Sequence, residues 1–142
     1  MSPQQVYFLE TSVLLRFLFA EPNSLNDLTQ KPYFVASELI RLEALRTIDR
    51  MRLTQGLQSH DVANRMRGVN EFLRYVETIP VQSSVIERAS LPFPTPIRSL
   101  DALHLSSALL WKQSKKKELV FLTHDIELAQ AAQALGLEVE GC

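Results

Sequence analysis

The chain reads VYFLETSVLLRFL over residues 6–18, and this stretch decides the class of fold. Val6 to Leu9 is a short apolar run rich in strand formers, and Thr11 opens a segment whose leucines recur at helical spacing. The same order returns near the end of the chain, where a predicted strand, Glu118 to Leu122, leads into a predicted helix, Ile126 to Leu135. We therefore predict a strand-to-helix unit in each of these two regions.

Strands and helices also alternate between these two units. Further strands are predicted at Tyr33 to Ala36, Val76 to Val81 and Leu137 to Val139. Further helices are predicted from Ser24 and Asp27 to about Gln30, from the N-cap Ser37 to Leu53, from Ser59 to Tyr75, from the capping pair Ser84 and Glu87, and from the N-cap Ser99 to Trp111. Because parallel neighbouring strands need crossover connections, this alternation predicts an α/β fold with a mostly parallel central sheet covered by helices.

The composition predicts one domain that spans residues 1–142. With 46% hydrophobic residues, a chain of 142 residues can bury most of its apolar surface in a single core. The only cysteine is Cys142, so an internal disulfide and a cysteine-based zinc site are excluded, and a reducing cytoplasm is the expected location. No stretch approaches the roughly 20 apolar residues needed to cross a membrane. The formal net charge of -1 does not by itself indicate a nucleic-acid partner.

Three acidic residues are placed where a ligand would bind such a fold. Glu10 and Asp125 both follow predicted strands, and ligands of parallel sheets bind beyond the carboxyl ends of the strands. Asp101 lies in the first turn of its predicted helix and shares a face with Leu105 and Ala108, so we expect it to be buried. A nearby cation would offset the cost of burying its charge. We therefore expect these carboxylates to converge on a cation.

A structural role is the alternative for each acidic residue. Glu43 precedes Arg46 and Arg50 by three and seven residues and could pair with them on a helix surface. Asp101 and Asp125 stand where helix N-termini favour an acidic side chain. Together, however, hard oxygen ligands without cysteine favour Mg²⁺ or Mn²⁺ over zinc, and such ions activate water in hydrolytic nucleases. A phosphatase-like hydrolase is a weaker alternative because no Asp-x-Asp motif is present.

Four motifs of this chain occur together in one known family. FLETSVL at residues 8–14, SEL at 37–39 with Glu43, LDALH at 100–104 and THD at 123–125 resemble the PIN-domain family, in particular the VapC-type toxins of bacterial toxin–antitoxin pairs. The resemblance implies a three-layer α/β/α sandwich and a Mg²⁺- or Mn²⁺-dependent endoribonuclease. It also implies RNA as the substrate, a homodimer, and inhibition by a cognate antitoxin protein.

The resemblance also implies which residues form the site. By position, the metal-binding and catalytic carboxylates of the family fall on Glu10, Glu43, Asp101 and Asp125, accompanied by the hydroxyl residues Thr11 and Thr123. The family normally has Asp at the first position, and the extra methylene of Glu10 moves the carboxylate outward by about one carbon–carbon bond, which Mg²⁺ geometry tolerates poorly. The alternative function is therefore a catalytically impaired PIN-fold module that binds antitoxin or RNA.

Other residues are assigned lesser roles. Glu127 could add a metal ligand, and the lysines from Lys112 to Lys117 could contact RNA phosphates, although lysines at a helix end also complement the helix dipole. His104 and His124 are predicted to pack or to form hydrogen bonds rather than to act as bases. Most apolar residues of the predicted helical hairpin are expected to be core, and the alternative for some of them is a groove that binds a second copy of the chain or the antitoxin: Leu39, Leu42, Leu45, Ile48, Met51, Val69, Phe72 and Leu73.

Overall fold

The computed structural model describes residues 4–20, 24–25 and 27–142. Within them the strands are β1 (Tyr7–Leu9), β2 (Phe34–Ser37), β3 (Val76–Ile79), β4 (Val120–Leu122) and β5 (Glu138–Glu140). The helices are α1 (Thr11–Leu18), α2 (Leu39–Gln55), α3 (Ser59–Leu73), α4 (Ser83–Ala89), α5 (Ser99–Lys115) and α6 (Ile126–Ala134). The short helix predicted before residue 30 is a single 3₁₀ turn, Leu28–Gln30. The predicted order of strands and helices is confirmed.

The strands of the described residues form one sheet in the order β3-β2-β1-β4-β5. β1 is central, with Tyr7 opposite Phe34 of β2 and Phe8 opposite Phe121 of β4. Every pairing is parallel, so the predicted α/β class is confirmed and the sheet is wholly rather than mostly parallel. Because all strands run the same way, the residues that follow β1 and β4 lie side by side at one edge.

Helices cover both faces of the sheet, which confirms the three-layer arrangement. On one face Phe8 and Phe121 stack with ring centroids 5.2 Å apart and belong to a core shared with Leu105 of α5 and Leu128 of α6. The core of the other face joins β1, β2 and β4 to α1 and α2 through Leu9, Val13, Leu14, Phe34, Ala36, Ile40 and Leu122. Burying a side chain of this size stabilises the fold by about 1.5–3 kcal/mol. The two cores therefore hold α1, α5 and α6 against the sheet.

The helices α2 and α3 form the predicted hairpin. Gly56 ends α2 with a φ of +66°, the left-handed conformation that glycine adopts without strain. Ile48 and Val69 are fully buried between the helices, as predicted. Leu42 is 57% exposed, so its prediction as core is wrong: it lies two residues from the buried Ala44 and therefore on the opposite side of the helix. The remaining predicted core residues are partly buried: Leu39, Leu45, Met51, Phe72 and Leu73.

The helix starts differ from the prediction at three serines. α2 begins at Leu39 with Glu38 as its N-cap, so the predicted cap Ser37 is instead the last residue of β2, although its hydroxyl accepts a bond from the backbone N of Leu39 at 3.2 Å. α4 begins at Ser83 and α5 at Ser99, and neither start has a side-chain cap bond, so Ser84 and Ser99 lie inside the first turn and their predicted capping roles are wrong. α5 also runs beyond the predicted end at Trp111 to Lys115. No helix in the described part of the chain is long and apolar enough to cross a membrane, since even α2 and α5 have only 17 residues.

Candidate active site

Two strand-to-helix junctions lie side by side at the carboxyl edge of the sheet. β1 leads through Glu10 into α1, and the neighbouring β4 leads through Thr123, His124 and Asp125 into α6. Glu10 and Asp125 are the N-cap residues of these helices. The parallel order of the sheet thus brings these two carboxylates to the same edge.

Glu10 is 6% exposed and is held by three hydrogen bonds. Its Oε2 accepts a bond from the backbone N of Ser12 at 2.9 Å. Its Oε1 accepts bonds from Ser12 Oγ at 2.6 Å and from Thr123 Oγ1 at 2.8 Å. The side chain therefore caps α1 and also reaches the end of β4, and both of its oxygens are engaged by donors of the chain itself.

Thr123 connects the two junctions. Its hydroxyl donates to Glu10 and accepts a bond from the backbone N of Asp125 at 3.1 Å. A second connection runs from the backbone N of His124 to Ser12 Oγ at 3.3 Å. Asp125 caps α6 through its carboxylate, which is the structural role that was predicted as its alternative, and the residue also remains exposed to solvent. These bonds fix the two acidic junctions relative to each other.

Glu43 lies on α2 and contacts both α1 and α5. Its Oε1 accepts a bond from Thr11 Oγ1 at 2.8 Å and is also bonded to His104 Nε2. Arg46 pairs with Asp49 at 3.2 Å, so pairing of Glu43 with Arg46 is wrong. Burial by itself raises the pKa of Glu43, but the hydrogen bond and charge of His104, together with the Thr11 hydroxyl, lower it below its ordinary value. The contacts with His104 and Thr11 therefore favour the ionised form of Glu43.

His104 is fully buried on α5. Burial by itself lowers the pKa of the imidazole, but the hydrogen bond to Glu43 and the surrounding negative charges raise it above its ordinary value. Glu43 and His104 thus form an ion pair between two helices. The predicted hydrogen-bonding role of His104 is confirmed, whereas its partner was not predicted. The spacing of three residues from Asp101 was the one signal that His104 belonged near the site.

Asp101 stands in the combined field of the other three acidic residues. Burial is the largest cause that raises its pKa from 3.8 to about 6, and the charges of Glu10, Asp125 and Glu43 add to it. The charge of His104 acts in the opposite direction. Asp101 is half-buried rather than enclosed, because it lies at the N-terminal end of α5. The four predicted carboxylates therefore share one electrostatic neighbourhood.

A cleft of about 370 Å³ opens beside two of these carboxylates. Its lining consists of Pro96, Ile97, Arg98, Asp101, Asp125 and Glu127. Glu127, predicted as an auxiliary ligand, is thus part of the same wall, and Arg98 adds a guanidinium to the lining. Glu10 and Glu43 do not line the cleft: both carboxylate oxygens of Glu10, but only Oε1 of Glu43, are bonded to donors of the chain.

The acidic residues fit a divalent cation in chemistry but do not form a complete coordination shell. No three His, Cys, Asp or Glu side chains within residues 4–20, 24–25 and 27–142 are placed to hold one ion together. In these positions the four carboxylates do not converge on one ion: Asp101 and Asp125 line the cleft, whereas Glu10 and Glu43 do not. The oxygens of Asp101 and Asp125 at the cleft nevertheless suit Mg²⁺, which is commonly held by one or two carboxylates, waters and substrate phosphates.

Comparison with known sequences identifies the family of the chain. A sequence model of the PIN domain matches residues 7–134, a segment that contains all four acidic residues. Ribonuclease VapC47 of Mycobacterium tuberculosis (strain CDC 1551 / Oshkosh) is 25% identical over 131 residues, and the match covers 91% of each protein. These similarities run through nearly the whole chain rather than through one motif.

A solved structure shows the same architecture. The crystal structure of VapBC2 from Rickettsia felis bound to a DNA fragment from their promoter contains a chain that matches with a TM-score of 0.61. The match covers 96% of this chain and 98% of that chain, at 17% sequence identity. At this identity the likeness establishes the fold alone.

Proposed function

This chain belongs to the PIN domain family, and we propose from that membership that it is a metal-dependent endoribonuclease and the toxin of a type II toxin–antitoxin pair. The relative named as a ribonuclease supports the reaction. The observation that carries the proposal is Asp101, whose pKa is raised to about 6 at a cleft beside three other acidic side chains. Such a concentration of negative charge favours the binding of a cation. A bound cation would in turn favour the binding of a phosphodiester.

We propose Asp101 and Asp125 as the residues that would hold Mg²⁺ or Mn²⁺. When bound, the ion supplies polarisation of a phosphoryl oxygen and lowers the pKa of a water. Glu127 extends the acidic wall of the cleft. Glu10 and Glu43 complete the predicted set: Glu10 fixes the loop that carries Asp125, and Glu43 adds negative charge beside Asp101. All four carboxylates thereby contribute to the site.

Arg98 is the proposed contact for an RNA phosphate. It lines the cleft, and a guanidinium matches the geometry of phosphate oxygens. The predicted lysine cluster is a weaker candidate, because Lys115 lies about 21 Å along α5 from Asp101 at the usual helical rise. Lys112 also pairs with Glu118 at 3.1 Å, which supports a role at the helix end.

A cognate antitoxin protein and a second copy of the chain are the proposed partners, and the cytoplasm is the proposed location. Three large apolar side chains are exposed on or beside the helical hairpin: Leu42 at 57%, Leu53 at 76% and Tyr75 at 83%. A protein partner that covered them would remove apolar surface from water. The impaired binding module receives no support from the relative, whose name is that of a ribonuclease.

Cleavage of a mixed RNA substrate in Mg²⁺ or Mn²⁺ tests the proposal. The wild-type protein should cleave, a chelator should stop cleavage, and Asp101→Asn should lower the rate on the order of 10²–10³-fold, because an ion of this kind contributes several kcal/mol to transition-state stabilisation. Glu87→Gln, which changes an exposed acidic residue of α4, should retain the wild-type rate. Equal rates for Asp101→Asn and wild type, or a folded wild-type protein without activity, would contradict the proposal.

A further inference from the structure

Three side chains meet at one carboxylate oxygen. Oε1 of Glu43 accepts a bond from Thr11 Oγ1 and is bonded to His104 Nε2, so a single atom ties α1 and α5 to α2. Within the described residues no hydrogen bond or ion pair engages Oε2 of Glu43. The carboxylate is therefore restricted at one oxygen and leaves the other without a partner in the chain.

Packing alone does not account for a histidine at position 104. Its Nδ1 is buried and has no hydrogen-bond partner in the described part of the chain. A buried polar group without a partner costs about 1–3 kcal/mol. An apolar side chain of similar volume would avoid this cost and would fill the same space. The contact made by Nε2 is therefore the feature that favours histidine here.

The helix α5 connects this contact to the acidic cleft. His104 lies three residues after Asp101, so both side chains emerge from one face of α5. Asp101 is affected by the charges of both His104 and Glu43. One helix thus carries a proposed metal-binding residue and the residue that holds the neighbouring carboxylate.

We propose that His104 is a positioning residue for the nuclease reaction: together with Thr11 it holds Oε1 of Glu43, so that Oε2 remains available beside Asp101. The inference rests on the proposed function. His104 acts through Glu43, and it neither touches the substrate nor transfers a proton.

Two substitutions at the same position test the role. His104→Leu removes both the donor and the unpartnered nitrogen, whereas His104→Gln keeps a donor that can reach Glu43. We expect His104→Leu to lower kcat by about 10–100-fold with little change in KM, as for other residues that orient metal-site ligands. Its melting temperature should fall, because Glu43 loses one of its two bonded partners, but the loss of kcat should persist at temperatures where the variant is fully folded, and His104→Gln should recover most of kcat. Ser107→Ala, which removes another buried and unpartnered polar atom of α5, should leave kcat unchanged.

A second measurement separates this inference from the proposed function. The side-chain carboxyl ¹³C resonance of Glu43 should shift in His104→Leu and return toward the wild-type position in His104→Gln. If the wild-type protein does not cleave RNA, the proposed function fails, and an unshifted resonance in His104→Leu overturns the positioning role independently. The positioning role would also be overturned if kcat and melting temperature fell in proportion to each other and His104→Gln did not recover kcat.

Discussion

Two halves of the site are built from different kinds of contact. The strand-end half consists of Glu10, Ser12, Thr123 and Asp125, which are joined by hydroxyl and backbone donors. The helix half consists of Glu43, Asp101 and His104, where a buried ion pair adjoins a carboxylate with a raised pKa. The strand-end donors carry no titratable charge, whereas the helix half depends on the charge of both partners. One acidic site thus combines a half that is held by neutral hydrogen-bond donors with a half that is held by paired charges.

Breaking the helix half should have the largest effect on stability. Glu43→Ala should destabilise the protein by about 3 kcal/mol, because His104 loses the partner of its buried charge. The pKa of Glu43 is lowered and that of His104 is raised, so the contribution of the pair is complete between their ordinary values of 4.5 and 6.5. It is lost as pH falls through the folded-state pKa of Glu43 or rises through that of His104. Urea unfolding across this range measures it.

Glu87→Ala on α4 is the control for this prediction, since the side chain is exposed and the change should stay within about 0.5 kcal/mol. A destabilisation by Glu43→Ala that is the same within and well above this pH window would contradict a charged pair.

Breaking the strand-end half should cause a smaller loss of stability, and this loss should not depend on pH in the way that the loss of the Glu43–His104 pair does. Thr123→Val keeps the shape of the side chain but removes one bond to Glu10 and one from Asp125, so we expect a loss of about 2 kcal/mol. Urea unfolding on both sides of pH 6.5 should give similar losses. Thr78→Val on the exposed side of β3 serves as the control. A loss that disappears above this pH would mean that charge also governs the strand ends.

Asp101→Asn should stabilise the cation-free protein. Because the pKa of Asp101 is raised from 3.8 to about 6, its contribution to stability is fully present below 3.8 and is lost as pH rises through about 6. The substitution should therefore add about 1 kcal/mol at neutral pH, after allowance for screening of a half-exposed group, and little at low pH. Thermal unfolding with a chelator measures this gain, and added Mn²⁺ should raise the melting temperature of wild type more than that of the variant. The opposite order in Mn²⁺ would argue against Asp101 as a ligand.

Glu10→Asp should have the smallest effect on stability. Aspartate caps helices as well as any residue, so the bond to the Ser12 backbone should persist, while the shorter side chain should lose Thr123 at a cost of about 0.5–1 kcal/mol. We expect RNA cleavage to increase, because aspartate is the residue that the family resemblance implies at this position, while the bonds from His124 N to Ser12 Oγ and from Asp125 N to Thr123 Oγ1 still hold the loop. Cleavage rates and urea midpoints measured on one preparation test both statements. A decrease in cleavage would indicate that the Thr123 tie assists the reaction.

The sequence predicted most of the fold because its signals are local. Apolar patterns, together with capping pairs, predicted the strands and helices that the structure describes, and the position of Glu10 and Asp125 after strands followed from the order of those elements. The errors arose where local patterns compete. Ser84 and Ser99 satisfy the capping preference but lie one residue or more too late, and Leu42 is apolar yet faces away from the core.

The hydrogen-bond partners of the acidic residues could not be predicted from the sequence, because they come from distant segments of the chain. Thr11 and His104 reach Glu43 from 32 and 61 residues away, and Thr123 reaches Glu10 from 113 residues away. No local preference encodes such a contact, since each depends on how the helices are packed and on the order of the strands.

The sequence by itself placed Glu10 and Asp125 after strands and Asp101 in the first turn of a helix, because strand and helix periodicity depends only on neighbouring residues, whereas Glu43 was proposed from the family resemblance. The tertiary structure decided how those carboxylates are directed: Glu10 toward Thr123, Glu43 toward His104, and Asp101 and Asp125 toward the cleft. The physical reason is that a partly buried carboxylate takes the orientation in which donors replace its lost water, and only the packed fold supplies those donors.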